Sequence, residues 1–428
     1  MGVAKLNVVI GPTRSISGQV GAPPSKAQTH RALFAGLLSR GTTTIRNPLS
    51  CEDTGASANV VCSLGAKMHF DTESWRVEGD GLPHPPSGRI DCGESGVTLR
   101  FIIPIVSLVG ADVRLRGSIG LLRRPLQPLI DAMKQLGVSV TVDGVEVAVS
   151  SASVRGGKVQ IAGNVSSQFI SGLLFAGPLM KDGLEIGVTS PLESRGYVTL
   201  TIENMKRHGI DVQANSEMSR FQINSSQSYR SADHHIPGDY SSAAFLMSAA
   251  AVTGSSITVR GLSRDEYDPD SAILSILAQM GVRSSFSGDL LHVEGHTLKG
   301  SEVNISNCPD LGPVTAVLGT CAEGKTEITG AERLRYKESD RLSAIASELN
   351  NLGAGVKVTR EGLVVSGRPK LRSGTVQSHG DHRIAMALTV AALNASGPVT
   401  IQNAQSVNKS YPTFFEDIQS LGVEVAER

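Results

Sequence analysis

Between residues 342 and 352 apolar side chains return every third or fourth position, at Leu342, Ile345, Leu349 and Leu352, with serine and asparagine among them. That spacing predicts an amphipathic helix, and Gly353 is suited to end it, because helix C-termini favour glycine in the left-handed conformation. The same ending recurs as Leu64-Gly-Ala, Leu136-Gly-Val, His208-Gly-Ile, Met280-Gly-Val, Leu352-Gly-Ala and Leu421-Gly-Val. Successive glycines, at 65, 137, 209, 281, 353 and 422, are spaced by 72 four times and then by 69. A fixed period of this length signals repeated architecture. The chain therefore reads as six copies of one unit.

The residues after each glycine alternate like strands, as in Val138-Ser-Val-Thr-Val142 and then Val145-Glu-Val-Ala-Val149, so a hairpin closes each copy. Earlier in each copy a strand breaks into small or polar residues ahead of an apolar helical run: Ala22-Pro-Pro-Ser-Lys26, Cys92-Gly-Glu-Ser-Gly96, Ala162-Gly-Asn-Val-Ser-Ser167, Ile236-Pro-Gly-Asp-Tyr-Ser241, Asn307-Cys-Pro-Asp310 and Ser378-His-Gly-Asp-His382. A further strand comes next, for example Thr43-Thr-Ile or Val399-Thr-Ile. The unit is roughly βαβαββ, and the fold class is α/β. The sixth copy stops at Val423–Arg428 without its last strand, while Lys5–Ile10 is a spare strand at the other end. The N-terminus is expected to complete the sixth copy. Residues 1–22 and 238–428 would then form a discontinuous domain of units four to six, and residues 23–237 a domain of units one to three, with the active site in the cleft between them. The crossings are expected at Gly21-Ala-Pro-Pro24 and Ile236-Pro-Gly238, as a two-stranded hinge.

A chain of 428 residues is long enough for two such cores. Forty basic and forty acidic side chains leave a formal net charge of zero, which removes the electrostatic case for nucleic acid or an anionic membrane as partner. The five cysteines form no CxxC pair and fit reduced thiols, so zinc and structural disulfides are not expected. With no secretory or membrane-spanning run, the expected location is the cytoplasm.

Charge changes the picture only locally. Arg333, Arg335, Lys337 and Arg341 lie at the start of the helix that ends at Gly353, where the helix dipole disfavours cations unless an anion is bound. Glu338 and Asp340 would make an ordinary solvated charge run of it, but the arrangement repeats. Lys26 and Arg31 follow the capping Ser25, Arg124 precedes Pro125 at an expected first helical position, Arg383 follows Asp381-His382, and Lys409 precedes Pro412. Five predicted helix starts carry cations, and their convergence on a small polyanion is the economical account. Ser166-Ser167-Gln168 offers two hydroxyls and an amide, either as an anion cradle or as a plain N-cap. Ser194-Arg195-Gly-Tyr197 precedes a helix, with Gly196 easing a turn. Asp239, Asp265, Glu266 and Asp268 read as ordinary caps. Asp310 and Glu338 are either a pair of acid-base carboxylates or a cap and an exposed glutamate.

Seven ordered blocks carry a resemblance: Pro23-Pro-Ser-Lys26 with Arg31, Gly93-Glu-Ser-Gly96-Val with Arg100, Arg124-Pro125, Ser166-Ser-Gln168, Lys337-Glu-Ser-Asp-Arg341, Asp381-His-Arg383 and the late Lys409. In kind and order the chain resembles the 5-enolpyruvylshikimate-3-phosphate synthase family over essentially its whole length. The resemblance implies two domains of three βαβαββ units each, an inside-out α/β barrel of the enolpyruvyl transferase type, closing on phosphoenolpyruvate and shikimate 3-phosphate without metal or other cofactor. It places Lys26, Arg31, Ser166, Ser167, Gln168, Ser194, Tyr197, Asp310 and Lys337 around shikimate 3-phosphate. Around phosphoenolpyruvate it places Lys26, Gly96, Arg124, Gln168, Arg341, His382, Arg383 and Lys409. The implied reaction adds the shikimate 5-hydroxyl to the enol carbon and then expels phosphate from a tetrahedral intermediate. Asp310 would take the hydroxyl proton and Glu338 would handle the methylene proton, the latter helped by Lys26 or Lys409.

Three departures from the family pattern bear on binding: Ala27 replaces a serine, Glu94 an asparagine and Arg333 a phosphate-binding asparagine. Val97 stands where a threonine is usual. The rivals are the UDP-N-acetylglucosamine carboxyvinyltransferase, whose loop cysteine is missing from Gly117–Pro125, and a non-catalytic anion-binding protein, which would not need Asp310 and Glu338. The expected partners are the two small substrates, neither nucleic acid nor membrane, with the chain a monomer.

Overall fold

The computed structural model describes residues 6–151, 154–264, 267–367 and 370–428. The chain divides into two compact units, one of Met1–Pro23 with Pro237–Arg428 and the other of Pro24–Ile236. Each unit has its own hydrophobic core.

All six period glycines have positive φ, from 78° at Gly137 to 103° at Gly65, and each directly follows the C-cap residue of a helix. The turn is left-handed at the position where a side chain would be strained, which is why glycine marks the period. Beyond it lies an antiparallel hairpin in five copies, such as Ser139–Asp143 with Glu146–Ser150. In the sixth, Val425–Glu427 pairs instead with Val8–Ile10, which also pairs with Val399–Gln402. The six sheets remain separate, five of four strands and one of five, and none among the described residues closes into a barrel. Lys5, expected in the spare strand, lies outside the described residues, as do Asp265 and Glu266.

Copies one and four do not keep their own first strands. Gln19–Gly21 precedes copy one yet pairs in parallel with Ser256–Arg260 of copy four, and Asp233–His235 precedes copy four yet pairs with Ser39–Arg46 of copy one. The repeat in sequence and the repeat in space are thus offset by one strand at both chain crossings.

Each unit buries three helices that are apolar on nearly every face. In one they are Tyr240–Thr253, Gly312–Cys321 and His382–Leu393, the last with all twelve residues buried. In the other they are Lys26–Leu38, Gly96–Val106 and Ser167–Ala176. A helix without a polar face has to be enclosed, so sheets and the amphipathic helices lie around it and polar function is confined to its ends. Among the described residues no helix is long and apolar enough to cross a membrane.

Candidate active site

In the unit that contains both termini, the polar end is organised around Arg341, the first residue of helix Arg341–Asn351, which Asp340 caps through Ser343 N. The Arg341 side chain is 1 % exposed. Its Nη1 donates to Asp310 Oδ1 at 2.8 Å, its Nη2 to Glu338 Oε2 at 2.6 Å, and its Nε to Asp381 Oδ2 at 2.8 Å. One planar guanidinium thereby holds three carboxylates from three segments, a use that its fixed fork of donors permits and a lysine would not. Two further cations flank Asp310: Lys337 Nζ at 3.4 Å from Oδ1 and Arg383 Nη2 at 3.2 Å from Oδ2. Asp381 also caps helix His382–Leu393 by accepting from Arg383 N, with His382 Nδ1 3.8 Å from its Oδ1. Lys409 Nζ donates to Gly380 O at 2.8 Å, and Arg333 Nη2 to Ser306 O at 2.6 Å.

Burial works to raise the Asp310 carboxyl, but Arg383, Lys337 and Arg341 outweigh it and hold the group well below the usual carboxylate range. It is ionised. Burial, with Arg341 and Arg333, depresses the Lys337 ammonium against the pull of Asp310 and Glu338. The Asp310 shift depends on neighbours of opposite charge, so an arriving anion that engages these cations loosens their hold on Asp310 and makes it a stronger base.

In the other unit, Ser25 caps helix Lys26–Leu38, and Lys26 Nζ pairs with Asp53 Oδ2 at 2.8 Å. Ser95 caps helix Gly96–Val106 and Ser166 caps Ser167–Ala176. Arg100 Nη1 donates to Gln168 Oε1 at 2.7 Å. A Cβ placed on Gly96 would lie 3.1 Å from Arg124 Nη1 and 3.6 Å from Arg100 Nη1, so two guanidinium groups and a bare helix start share one spot. Beneath it runs a buried chain of neutral groups. His30 Nδ1 meets Ser57 Oγ, Ser57 Oγ meets Thr98 Oγ1, and Thr98 Oγ1 donates to Ser95 Oγ, each at 2.7 Å. Burial, then Lys26 and Arg31, push His30 well below its ordinary value, so the ring is neutral.

Arg31 is only 2 % exposed and donates to Thr201 Oγ1 at 2.9 Å, Ala27 O at 2.8 Å and Tyr197 O at 2.7 Å. Several sequence expectations about helix starts need correction. Arg124 does not begin a helix: the helix starts at Gln127, its N-cap is Leu126, and Pro128 rather than Pro125 occupies the first turn. Lys409 closes the 3₁₀ segment Ala404–Lys409, where a cation suits the dipole, while the last helix begins at Phe414. The dipole argument thus stands for Lys26, Arg341 and Arg383. Gly196 lies inside helix Arg195–Arg207, and the residue that turns the chain is Ser194, with φ of 53°. Asp239 and Asp268 do cap, through Ser242 N and Asp270 N. Sequence reasoning missed Asp53, Arg100 as the partner of Gln168, and Asp381, whose capping place before His382-Arg383 was the available signal.

A family model of EPSP synthase (3-phosphoshikimate 1-carboxyvinyltransferase) matches residues 10–418 of the chain. The chain belongs to the EPSP synthase family. Two similar curated relatives carry the name 3-phosphoshikimate 1-carboxyvinyltransferase. That of Methanocorpusculum labreanum is 39 % identical over 96 % of this chain and 98 % of its own. That of Clostridium novyi is 36 % identical over 97 % of each. Among solved structures, EPSP synthase from Acinetobacter baumannii superposes with a TM-score of 0.83 at 26 % identity, covering 99 % of this chain and 100 % of that one. Membership of the EPSP synthase family makes this chain an enzyme, a transferase of the shikimate route to aromatic amino acids. Against the EPSP synthase pattern, Glu94 is exposed and Ala27 offers Arg31 its carbonyl rather than a hydroxyl. Among the described residues no group of three or more histidine, cysteine, aspartate or glutamate side chains could hold a metal ion.

Proposed function

We propose that the protein transfers the carboxyvinyl group of phosphoenolpyruvate to the 5-hydroxyl of shikimate 3-phosphate, with residues of both units taking part. The observation that carries the reading is the Arg341 node, where two carboxylates suited to proton transfer are fixed 2.8 Å and 2.6 Å from one buried guanidinium in a member of this family. In this reading Asp310 accepts the 5-hydroxyl proton as the oxygen attacks C2 of phosphoenolpyruvate, and Glu338 supplies the proton that turns the methylene into a methyl group. The tetrahedral intermediate then loses a methyl proton to Glu338 and expels phosphate, restoring the vinyl group. Lys26 and Lys409 assist the methylene proton transfer.

Arg124, Arg341, Arg383, His382 and Lys409, with Gly96 and Gln168, receive the carboxylate and phosphate of phosphoenolpyruvate, and their charges stabilise the departing phosphate. Lys26, Arg31, Ser166, Ser167, Gln168, Ser194, Tyr197 and Lys337 receive shikimate 3-phosphate together with Asp310. Arg31 also fixes the backbone of Ala27 and Tyr197 through hydrogen bonds to their carbonyls. The protein works as a monomer in the cytoplasm.

The test is phosphate release from phosphoenolpyruvate with shikimate 3-phosphate, run beside UDP-N-acetylglucosamine as acceptor. Release with the first acceptor alone is the expected result. Asp310→Asn and Glu338→Gln should each lower kcat by about 10²–10⁴-fold, and near-full turnover in either variant removes that residue from its role.

A further inference from the structure

Glu348 is a carboxylate with no part in the proposed reaction, and it is 4 % exposed. It stands seven residues after Arg341 on helix Arg341–Asn351, just short of two turns, and so shares a face with it. Both side chains reach the same neighbouring segment. Arg341 holds Asp381, while Glu348 Oε1 accepts from His379 Nε2 at 2.8 Å and its Oε2 from Gln377 N at 3.1 Å and from Asn351 Nδ2 at 3.2 Å. Between these two attachments the backbone makes a tight turn, with φ of 54° at His379 and 66° at Gly380. The Gly380 carbonyl receives Lys409 Nζ, and the next three residues are Asp381, His382 and Arg383.

We infer that Glu348 and His379 are positioning residues for the phosphoenolpyruvate side of the site. They staple segment Gln377–Asp381 to helix Arg341–Asn351, and so set where His382, Arg383 and Lys409 present their charges. A left-handed histidine is a conformation that only a surrounding structure maintains, and the buried carboxylate is what maintains it here. The inference rests on the proposed function for its substrates but not for its geometry.

The experiment compares Glu348→Ala, Glu348→Gln and His379→Ala with the wild-type chain. It measures KM for each substrate and, in the unliganded protein, amide hydrogen exchange across residues 377–381. Glu348→Ala should raise KM for phosphoenolpyruvate about tenfold and leave that for shikimate 3-phosphate within about twofold, with faster exchange in the segment. Glu348→Gln should restore most of the loss, because its amide oxygen still accepts from Gln377 N and its amide nitrogen can donate to the other tautomer of His379. His379→Ala should shift the same KM by about threefold, and since His379 is half-exposed it decides the matter should Glu348→Ala fail to fold. An unchanged KM and unchanged exchange in folded Glu348→Ala overturn the inference, as does an equal rise in both KM values. Failure of the wild-type chain to release phosphate sinks the proposed function, and the exchange measurement still decides the staple.

Discussion

Among the described residues, Arg31 and Arg341 are the two bulkiest fully buried side chains, one in each unit, and they are held in opposite ways. The described hydrogen bonds of Arg31 go to neutral oxygens, two carbonyls and a hydroxyl, and its guanidinium lies 5.5 Å from the Phe101 ring centre and 5.9 Å from that of Tyr197. Those of Arg341 go to three carboxylates. The position of Arg31 is therefore tied to backbone geometry, and that of Arg341 to ionisation. The Arg31 site should be sensitive to shape and the Arg341 site to charge.

Substitution of the two arginines is the strongest way to break that comparison. Arg341→Lys leaves buried carboxylates short of their partner, and should cost about 3–5 kcal/mol of stability. Arg31→Lys leaves two carbonyls and a hydroxyl, all neutral, short of a donor, and should cost about 1.5–3 kcal/mol. The single tryptophan, Trp75, is 6 % exposed in the unit of Arg31, so its fluorescence follows that unit while circular dichroism follows both. Arg31→Lys should move the tryptophan transition, and Arg341→Lys chiefly the remainder. Equal costs would mean that the two sites do not differ in kind.

Acid should sharpen the comparison. His208 and His234 share a hydrogen bond of 2.8 Å between their Nε2 atoms, and burial, aided by neighbouring charge, lowers them from 6.5 to about 4 and about 3. Between those values and 6.5 the unfolded chain binds protons that the folded unit refuses. The associated stability is complete above 6.5 and is lost as pH falls, by up to about 1.4 kcal/mol per pH unit for each ring. Asp310, by contrast, is held below its ordinary 3.8, so its contribution is intact above 3.8 and is lost only as pH falls further. The tryptophan-reported unit should weaken first on acidification, and the flatter profile expected of His234→Gln checks the assignment. The smallest effect belongs to the neutral chain under Ser95. Thr98→Val leaves the Ser57 and Ser95 hydroxyls each one partner short, and should lower the tryptophan transition by about 1 kcal/mol.

Much of this was legible from spacing. The hairpin at Val138–Val149 was set by two-residue alternation, and the helix over Leu342–Leu352 by its returning apolar positions. The blocks Lys337–Arg341 and Asp381–Arg383 brought their residues to one place because each spans a single helix start, where neighbours in sequence are neighbours in space. Arg124 and Lys409 were read as helix starts from nearby prolines, a rule that fixes where a helix can begin but not whether it begins one residue or several later.

The sequence alone determined the six-fold repeat and the left-handed turn at each period glycine. Both are local, imposed by backbone sterics and by which face of an element must leave water. Only the tertiary structure decided that Arg341 takes Asp381, forty residues further on, that Arg31 donates to Tyr197 O, and that copies one and four exchange their first strands. Those outcomes depend on which elements pack side by side, and a hydrogen bond between distant segments leaves no period in the chain that makes it.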